Sequence, residues 1–367
     1  MSGQRNLYRA EQLPVFQNRM FTTEAAARGC VRGDVELVQD HATGLVFNRA
    51  FDAALMVYDA DYQNEQGHSA VFRQHLETVA QVVRKHCAGR TLIEVGCGKG
   101  HFLEQLQSMG FEITGLDPTY EGTNPAVIRE YFTPAVGLRA DALVLRHVLE
   151  HVTDPVAFLS QLRDANGGRG KIYVEVPCLD WIAAHRAWFD LFYEHVNYFR
   201  LGDFARLFGT VYEAGYLFGG QYLYAVAELS SLRTPVCTPA DAFEFPTDFL
   251  HGVTRSAARL RGAVTATAPY RPTRAPSAIW GGASKGVIFA LYMERAGAPL
   301  DLVIDINPAK QGRHLAATGL RVHAPEEALA HLPPGADLFV MNRNYLAEIQ
   351  AQTKHQLNYI TPDHENI

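Results

Sequence analysis

The run Ile93-Glu94-Val95-Gly96-Cys97-Gly98-Lys99-Gly100 constrains this chain more than any other feature. A β-branched stretch, TLIEV, leads into it and a helix-periodic stretch, HFLEQLQSM, leads out. Glycines at such a corner let the backbone turn tightly and let a ligand approach without Cβ clashes. The helix start that follows offers N–H donors and the positive end of a dipole. About 20 residues on, the next strand ends at Asp117-Pro118, where a carboxylate can accept hydrogen bonds from two ribose hydroxyls.

The alternation continues in both directions. Val71, Phe72, Leu76, Val79 and Val83 recur at helical spacing and predict a helix over 71–86. EITGLD and ALVLRH read as strands, DPVAFLSQL as helix and KIYVEV as strand. GYLFGGQYLYAVAEL reads as two paired strands that close the sheet. Such alternation predicts a parallel sheet with helices on both faces. Pro235, Pro239 and Pro246 mark a linker over 231–246, and 247–268 reads as helix. A second alternating block follows, with SAIWGG, LDLVIDIN and DLFVMN as strands. Residues 1–70 show no sustained period and are expected to be irregular. The fold class is therefore α/β: a Rossmann-like sheet over 71–232, a second Rossmann-like α/β domain over 233–367, and an irregular N-terminal segment over 1–70.

Composition narrows the function. The 367 residues carry a net charge of -6, with 47% hydrophobic and 20% charged residues, as expected of a globular chain with two or three domains. The acidic balance argues against a general nucleic-acid or acidic-membrane binder. No apolar run reaches the roughly 18 residues a membrane span needs, and the opening MSGQRNLYRAEQLP lacks the apolar core of a secretory signal. Five scattered cysteines with no CxxC fit a reducing cytoplasm and argue against a disulfide scaffold or structural zinc.

Two further clusters carry ionisable groups. Asp141, Arg146, His147, Glu150 and His151 belong to the strand after Asp117 and its exit. In open parallel sheets ligands sit beyond the C-terminal strand ends, so the last four converge there. The HExxH pattern is absent and no third metal ligand is evident, so no metal is expected. After the next strand comes WFDLFYEHVNYF, residues 188–199. Apolar walls there perturb the pKa values of a buried Glu194 and His195, as a general base requires; alternatively the two satisfy each other under an aromatic lid. In the C-terminal block, Gly281, Gly282 and Ser284-Lys285 form another strand-turn-helix corner. It holds a phosphate or carboxylate, or is an ordinary βα turn. Asn307, Lys310 and Arg313 follow the next strand on the same rim.

The spacing G-x-G-x-G, preceded by Glu94, departs from the dinucleotide pattern G-x-G-x-x-G, which disfavours a dehydrogenase. It resembles motif I of class I S-adenosylmethionine (SAM) methyltransferases. The resemblance implies SAM as cofactor, with its ammonium and carboxylate over Glu94, Gly96, Gly98 and Gly100. It implies ribose on Asp117 beside Pro118, and further cofactor contacts from Asp141, Arg146 and His147. Glu194-His195-Val196-Asn197-Tyr198-Phe199, His151 and the C-terminal run Asp305-Ile-Asn307-Pro308-Ala-Lys310-Gln311-Gly312-Arg313 narrow it further. Over roughly residues 45–360 the chain resembles the TDP-deoxysugar C-methyltransferase family. That implies methylation of a carbon next to a carbonyl in a small, nucleotide-linked keto-sugar. Glu194 and His195 would be base and partner, with His151 or Tyr193 steadying the enolate. Lys285, Asn307, Lys310 and Arg313 would hold the substrate. The family's Y-x-x-x-Y…S stretch implies Tyr58, Tyr62 and Ser69 near SAM; Ser69 also suits a helix N-cap. Family members usually begin with paired CxxC zinc motifs. Here the corresponding stretch reads Val38-Gln39-Asp40-His41-Ala42-Thr43-Gly44, so no zinc is expected. An O- or N-methyltransferase, or a non-catalytic SAM-binding protein, are the rival readings.

Overall fold

The computed structural model describes residues 3–56, 67–262 and 276–363. The described residues form three sheets. The central one has seven strands: Thr91–Val95 (β4), Glu112–Leu116 (β5), Val127–Ile128 (β6), Ala142–Arg146 (β7), Lys171–Pro177 (β8), Val211–Leu217 (β10) and Tyr222–Glu228 (β11). Their order is β10-β11-β8-β7-β4-β5-β6. β4 to β8 run parallel, and β11 lies antiparallel between β8 and β10. The antiparallel pair closes the sheet as the sequence predicts. Strands buried on both faces read as continuous apolar runs, which is why Leu143, Val144 and Leu145 are all fully buried.

The helix Ala70–Cys87 covers one face, burying Phe72, Leu76, Val79 and Val83. Ser69 is its N-cap, its hydroxyl accepting from the N–H groups of Val71 and Phe72.

The C-terminal sheet is wholly parallel: Ala278–Trp280 (β12), Leu302–Ile304 (β13), Val322–His323 (β14), Asp337–Val340 (β15) and Asn358–Ile360 (β16), in the order β14-β13-β12-β15-β16. The helix after the linker spans His251–Gly262; residues 247–250 form a turn ahead of it rather than its first turn, and 263–268 of the expected 247–268 helix lie outside the described residues.

The N-terminal segment is not irregular. Gln4–Pro14 (β1), Arg32–Asp40 (β2) and Val46–Asn48 (β3) form an antiparallel sheet completed by Asn197–Tyr198 (β9). Register shifts between Asn6 and Tyr8 and between Ala10 and Leu13 break the two-residue alternation of β1, so no strand period survives in its sequence. This sheet supports the cleft. β3 pairs with β9, and the Asn48 N–H donates to the Val196 carbonyl at 2.7 Å. The acid-histidine segment is thus gripped by residues some 150 positions upstream.

Candidate active site

A cleft of about 440 Å³ opens between the C-terminal strand ends of the central sheet and those of the C-terminal sheet. Gly96 and Gly98 line one wall, Glu194 and His195 a second, Lys285 and Asn307 a third. Size and composition suit a small-molecule site.

The glycine loop takes the geometry its sequence demands. Gly96, Gly98 and Gly100 have φ of +72°, +53° and +81°. A Cβ on Gly96 would stand 2.5 Å from Val148 Cγ2. Asp117 is buried, and its Oδ2 accepts from the Gly98 N–H at 2.8 Å while Oδ1 accepts from Thr119. It therefore braces the loop. Gly100, Asp117 and Pro118 are not among the residues that line the cleft.

Glu94 does line it, and its buried Oε2 has no hydrogen-bond partner among the described residues. Burial, reinforced by the Asp117 charge and opposed by Arg146, pushes its carboxyl up to about 8. At pH 7 it is mostly protonated, and a cationic group bound against it favours the ionised form. SAM binding at pH 7 should therefore release up to about one proton. The slope of calorimetric enthalpy against buffer ionisation enthalpy measures this; Glu94→Gln should remove it. An unchanged slope in that variant would assign the proton elsewhere.

Arg146 and His147 enter the cleft from a buried charge network centred on Glu175, itself fully buried. Glu175 accepts from Arg146 Nε at 2.9 Å and from the Tyr173 hydroxyl at 3.0 Å, and meets His75 Nε2 at 2.8 Å and His147 Nε2 at 3.2 Å. Burial opposes its charge, but Arg146 and the histidine bonds hold its carboxyl well below the usual range. Burial alone would lower His147; its bonds to Glu150 and Glu175 instead push it up to about 9.

Asp141 does not belong to this site. It precedes β7, at the opposite end of the strand from the cleft, and its carboxylate accepts from the N–H and hydroxyl of Thr91 at 3.0 Å each. Tyr193 is also elsewhere. Its ring packs on Phe51 and fills the space left by Gly33, where a Cβ would stand 2.2 Å from Tyr193 Cε2. Its hydroxyl accepts from the Asp52 N–H at 2.8 Å, so Tyr193 anchors the N-terminal segment.

Glu194, His195 and His151 do come together. Glu194 is buried, and its Oε1 accepts from the Gln17 N–H at 2.9 Å. His151 Nδ1 donates to the Glu194 carbonyl at 2.9 Å. The His195 ring lies 5.0 Å from that of His151 and 4.9 Å from that of Phe192. Burial, and then the neighbouring His151, lower His195 to about 3, so it is neutral.

In the C-terminal wall, Lys285 lines the cleft with its charge already engaged. It pairs with Asp190 Oδ2 at 2.8 Å, donates to Gln221 Oε1 at 2.8 Å and lies over the Trp181 ring. Asp190 and Gln221 carried no motif that could have flagged them. Lys310 pairs with Asp305 at 3.3 Å, and Asn307 Nδ2 is buried without a partner among the described residues. Arg313 falls outside the lining residues, because a tight turn carries its backbone toward Val322. Asp305 repeats the Asp117 arrangement: it accepts from the Gly282 N–H and from the amide two residues on, both at 2.8 Å. Ser69 lines the cleft and donates to Glu348 at 2.6 Å. Tyr58 and Tyr62 lie outside the described residues.

Comparison with known proteins agrees with this geometry. The model of a methyltransferase domain family matches residues 61–211. The chain is 31% identical over 103 residues to a probable S-adenosylmethionine-dependent methyltransferase of Mycolicibacterium smegmatis, covering 24% of this chain and 38% of that one. It is 35% identical over 88 residues to a ubiquinone biosynthesis O-methyltransferase of a Methylobacterium species, covering 20% and 34%. It is 24% identical over 295 residues to the C-methyltransferase NovU of Streptomyces niveus, covering 71% and 68%. The chain thus spans little more than a third of the length of the first two relatives. Residues 61–211 match a methyltransferase domain, and the central sheet they contribute to has a Rossmann-like α/β fold. No helix among the described residues is long and apolar enough to cross a membrane.

Proposed function

We propose that this protein transfers the methyl group of SAM to a carbon next to a carbonyl in a small-molecule acceptor, with nucleotide-linked keto-sugars as the acceptor class. The observation that carries this reading is the convergence of Glu194, His195 and His151 on the cleft that the glycine loop and the C-terminal sheet share. The likeness to NovU, which extends over both halves of the chain, supports it.

The residues fit the cofactor. Glu94 brings a buried carboxyl oxygen with no hydrogen-bond partner among the described residues, and the positive φ of Gly96, Gly98 and Gly100 turns the loop at the cleft wall. When bound, SAM supplies a methyl group on a sulfonium to an in-line nucleophile. Glu94 would hold the ammonium of the cofactor's amino-acid end, and Asp117 keeps the loop amides in place. A carbon acceptor must lose its proton first, and Glu194 is placed to take it. The Phe192 ring packs against His195 at 4.9 Å and makes that wall apolar. His195 and His151 orient the acceptor's oxygen side. Asn307 and Lys310 hold the distal, polar part of the acceptor.

Incubation with methyl-labelled SAM and a panel of keto-sugar nucleotides tests the reading. Label on a carbon adjacent to the former carbonyl is expected. Label confined to oxygen or nitrogen, or no label with any acceptor, would defeat it.

A further inference from the structure

Glu150, His151 and His195 each bring one ligand atom to within 4.8 Å of the other two. We propose that these side chains bind one divalent transition-metal cation of the zinc, manganese or iron class, with its open coordination positions facing the cleft. The sequence concealed this trio because Glu150 and His151 are adjacent rather than spaced as HExxH, and His195 comes from another segment.

The donor set is the first argument. Two imidazoles and one carboxylate suit first-row divalent metals better than magnesium or calcium, which favour all-oxygen shells. Three protein ligands leave room for further ligands, the pattern of catalytic rather than structural sites.

The second argument comes from orphaned atoms. Glu150 is 1% exposed, and its Oε2 is buried with no hydrogen-bond partner among the described residues. His195 Nδ1 is in the same position. Buried polar atoms without partners are costly and call for an explanation. A cation between them satisfies both.

The third is the support around the ligands. His151 Nδ1 donates to the Glu194 carbonyl, which leaves Nε2 as its ligand atom. Ligating histidines are commonly fixed by such an outer bond. His147 Nδ1 stands 3.3 Å from Glu150 Oε1 and holds that carboxylate. The Val196 N–H donates to the Glu150 carbonyl at 2.7 Å, and Asn197 Nδ2 donates to the Val152 carbonyl at 2.5 Å. The two ligand-bearing segments are thereby locked side by side.

The fourth is how the neighbouring polar groups are engaged. Tyr193 faces away, while Arg146 and Lys285 pair with Glu175 and Asp190. A cation at the trio would meet the acceptor's carbonyl oxygen and stabilise the negative charge that develops there when Glu194 takes the proton. This role rests on the proposed methyl-transfer reading; the binding site itself does not.

The test uses the full-length protein after dialysis against a chelator. Titration with cobalt(II), followed by its visible d–d absorption, and with zinc(II), followed by calorimetry, should show one cation bound per chain. The double variant His151→Ala/His195→Ala should lose it, and Glu150→Gln should weaken it by more than about tenfold. SAM binding, retained in each variant, shows that the fold is intact. Should the double variant not fold, His195→Asn alone is read in the same way. No binding by the wild-type chain, or full binding by the variants, overturns the site. The titration needs neither acceptor nor turnover, so its failure leaves the methyl-transfer reading intact. Absence of methyl label alongside a normal titration would do the reverse.

Discussion

Glu194→Gln lowers the rate of methyl transfer by about 10²–10⁴-fold, the usual contribution of a positioned acid–base group, and leaves SAM affinity nearly unchanged. Glu194 touches the N-terminal segment and the acceptor wall but not the glycine loop, so the loss falls on turnover. Its surroundings are rigid. The Tyr198 hydroxyl accepts from the Phe192 N–H at 3.0 Å and donates to the Phe192 carbonyl at 2.8 Å, closing the loop that presents Glu194. His195→Ala lowers turnover over the same range for a different reason: it removes the group that orients the acceptor's oxygen. The two variants separate on cation binding, which Glu194→Gln keeps and His195→Ala loses. Single-turnover rates on the labelled acceptor, with SAM calorimetry beside them, provide the measurement. Near wild-type rates in both variants would mean that the acceptor is already nucleophilic, and a proximity mechanism on oxygen or nitrogen would replace carbon methylation.

What the sequence disclosed follows from how local its signals are. The glycine loop, β4, β5, β7 and β8 were legible because buried parallel strands and positive-φ corners each leave a mark within a few residues. The cluster at His147, Glu150 and His151 was legible as the exit of a strand. The errors arise where side-chain direction or distant partners decide. Asp141 was grouped with its neighbours, yet it precedes its strand and so lies at the far edge of the sheet. Tyr193 and Glu194 are adjacent, but one turns to the N-terminal sheet and the other to the cleft. The ring of Tyr193 needs the space at Gly33, a position no local pattern connects to it. Lys285 looked like an anion-binding lysine, while its partner Asp190 comes from the aromatic loop and Gln221 from the turn before β11. The bulged β1 carried no period at all. Tertiary pairing decides each of these, and none is encoded within one window of the chain.

Glu175→Gln should destabilise the protein by about 3–5 kcal/mol, the scale for removing one partner of a buried ion pair. Glu175 has no solvent exposure, and four side chains from one helix, two strands and the exit of β7 converge on it: His75, Arg146, Tyr173 and His147. The amide keeps the volume but removes the charge, leaving the Arg146 guanidinium, about 10% exposed, without its counterion. The carboxamide also presents a donor where only acceptors were wanted, so at least one of these contacts meets an N–H instead of an oxygen. The effect extends to the cleft, because Arg146 and His147 line it from this network. Urea unfolding gives the stability change. The double variant Glu175→Gln/Arg146→Met should lose less than the sum of the two single variants, since removing the guanidinium relieves the uncompensated charge. A single-variant cost below about 1 kcal/mol would place the pair with solvent-screened surface bridges. Glu175 would then not be what holds Arg146 and His147 at the mouth of the glycine loop.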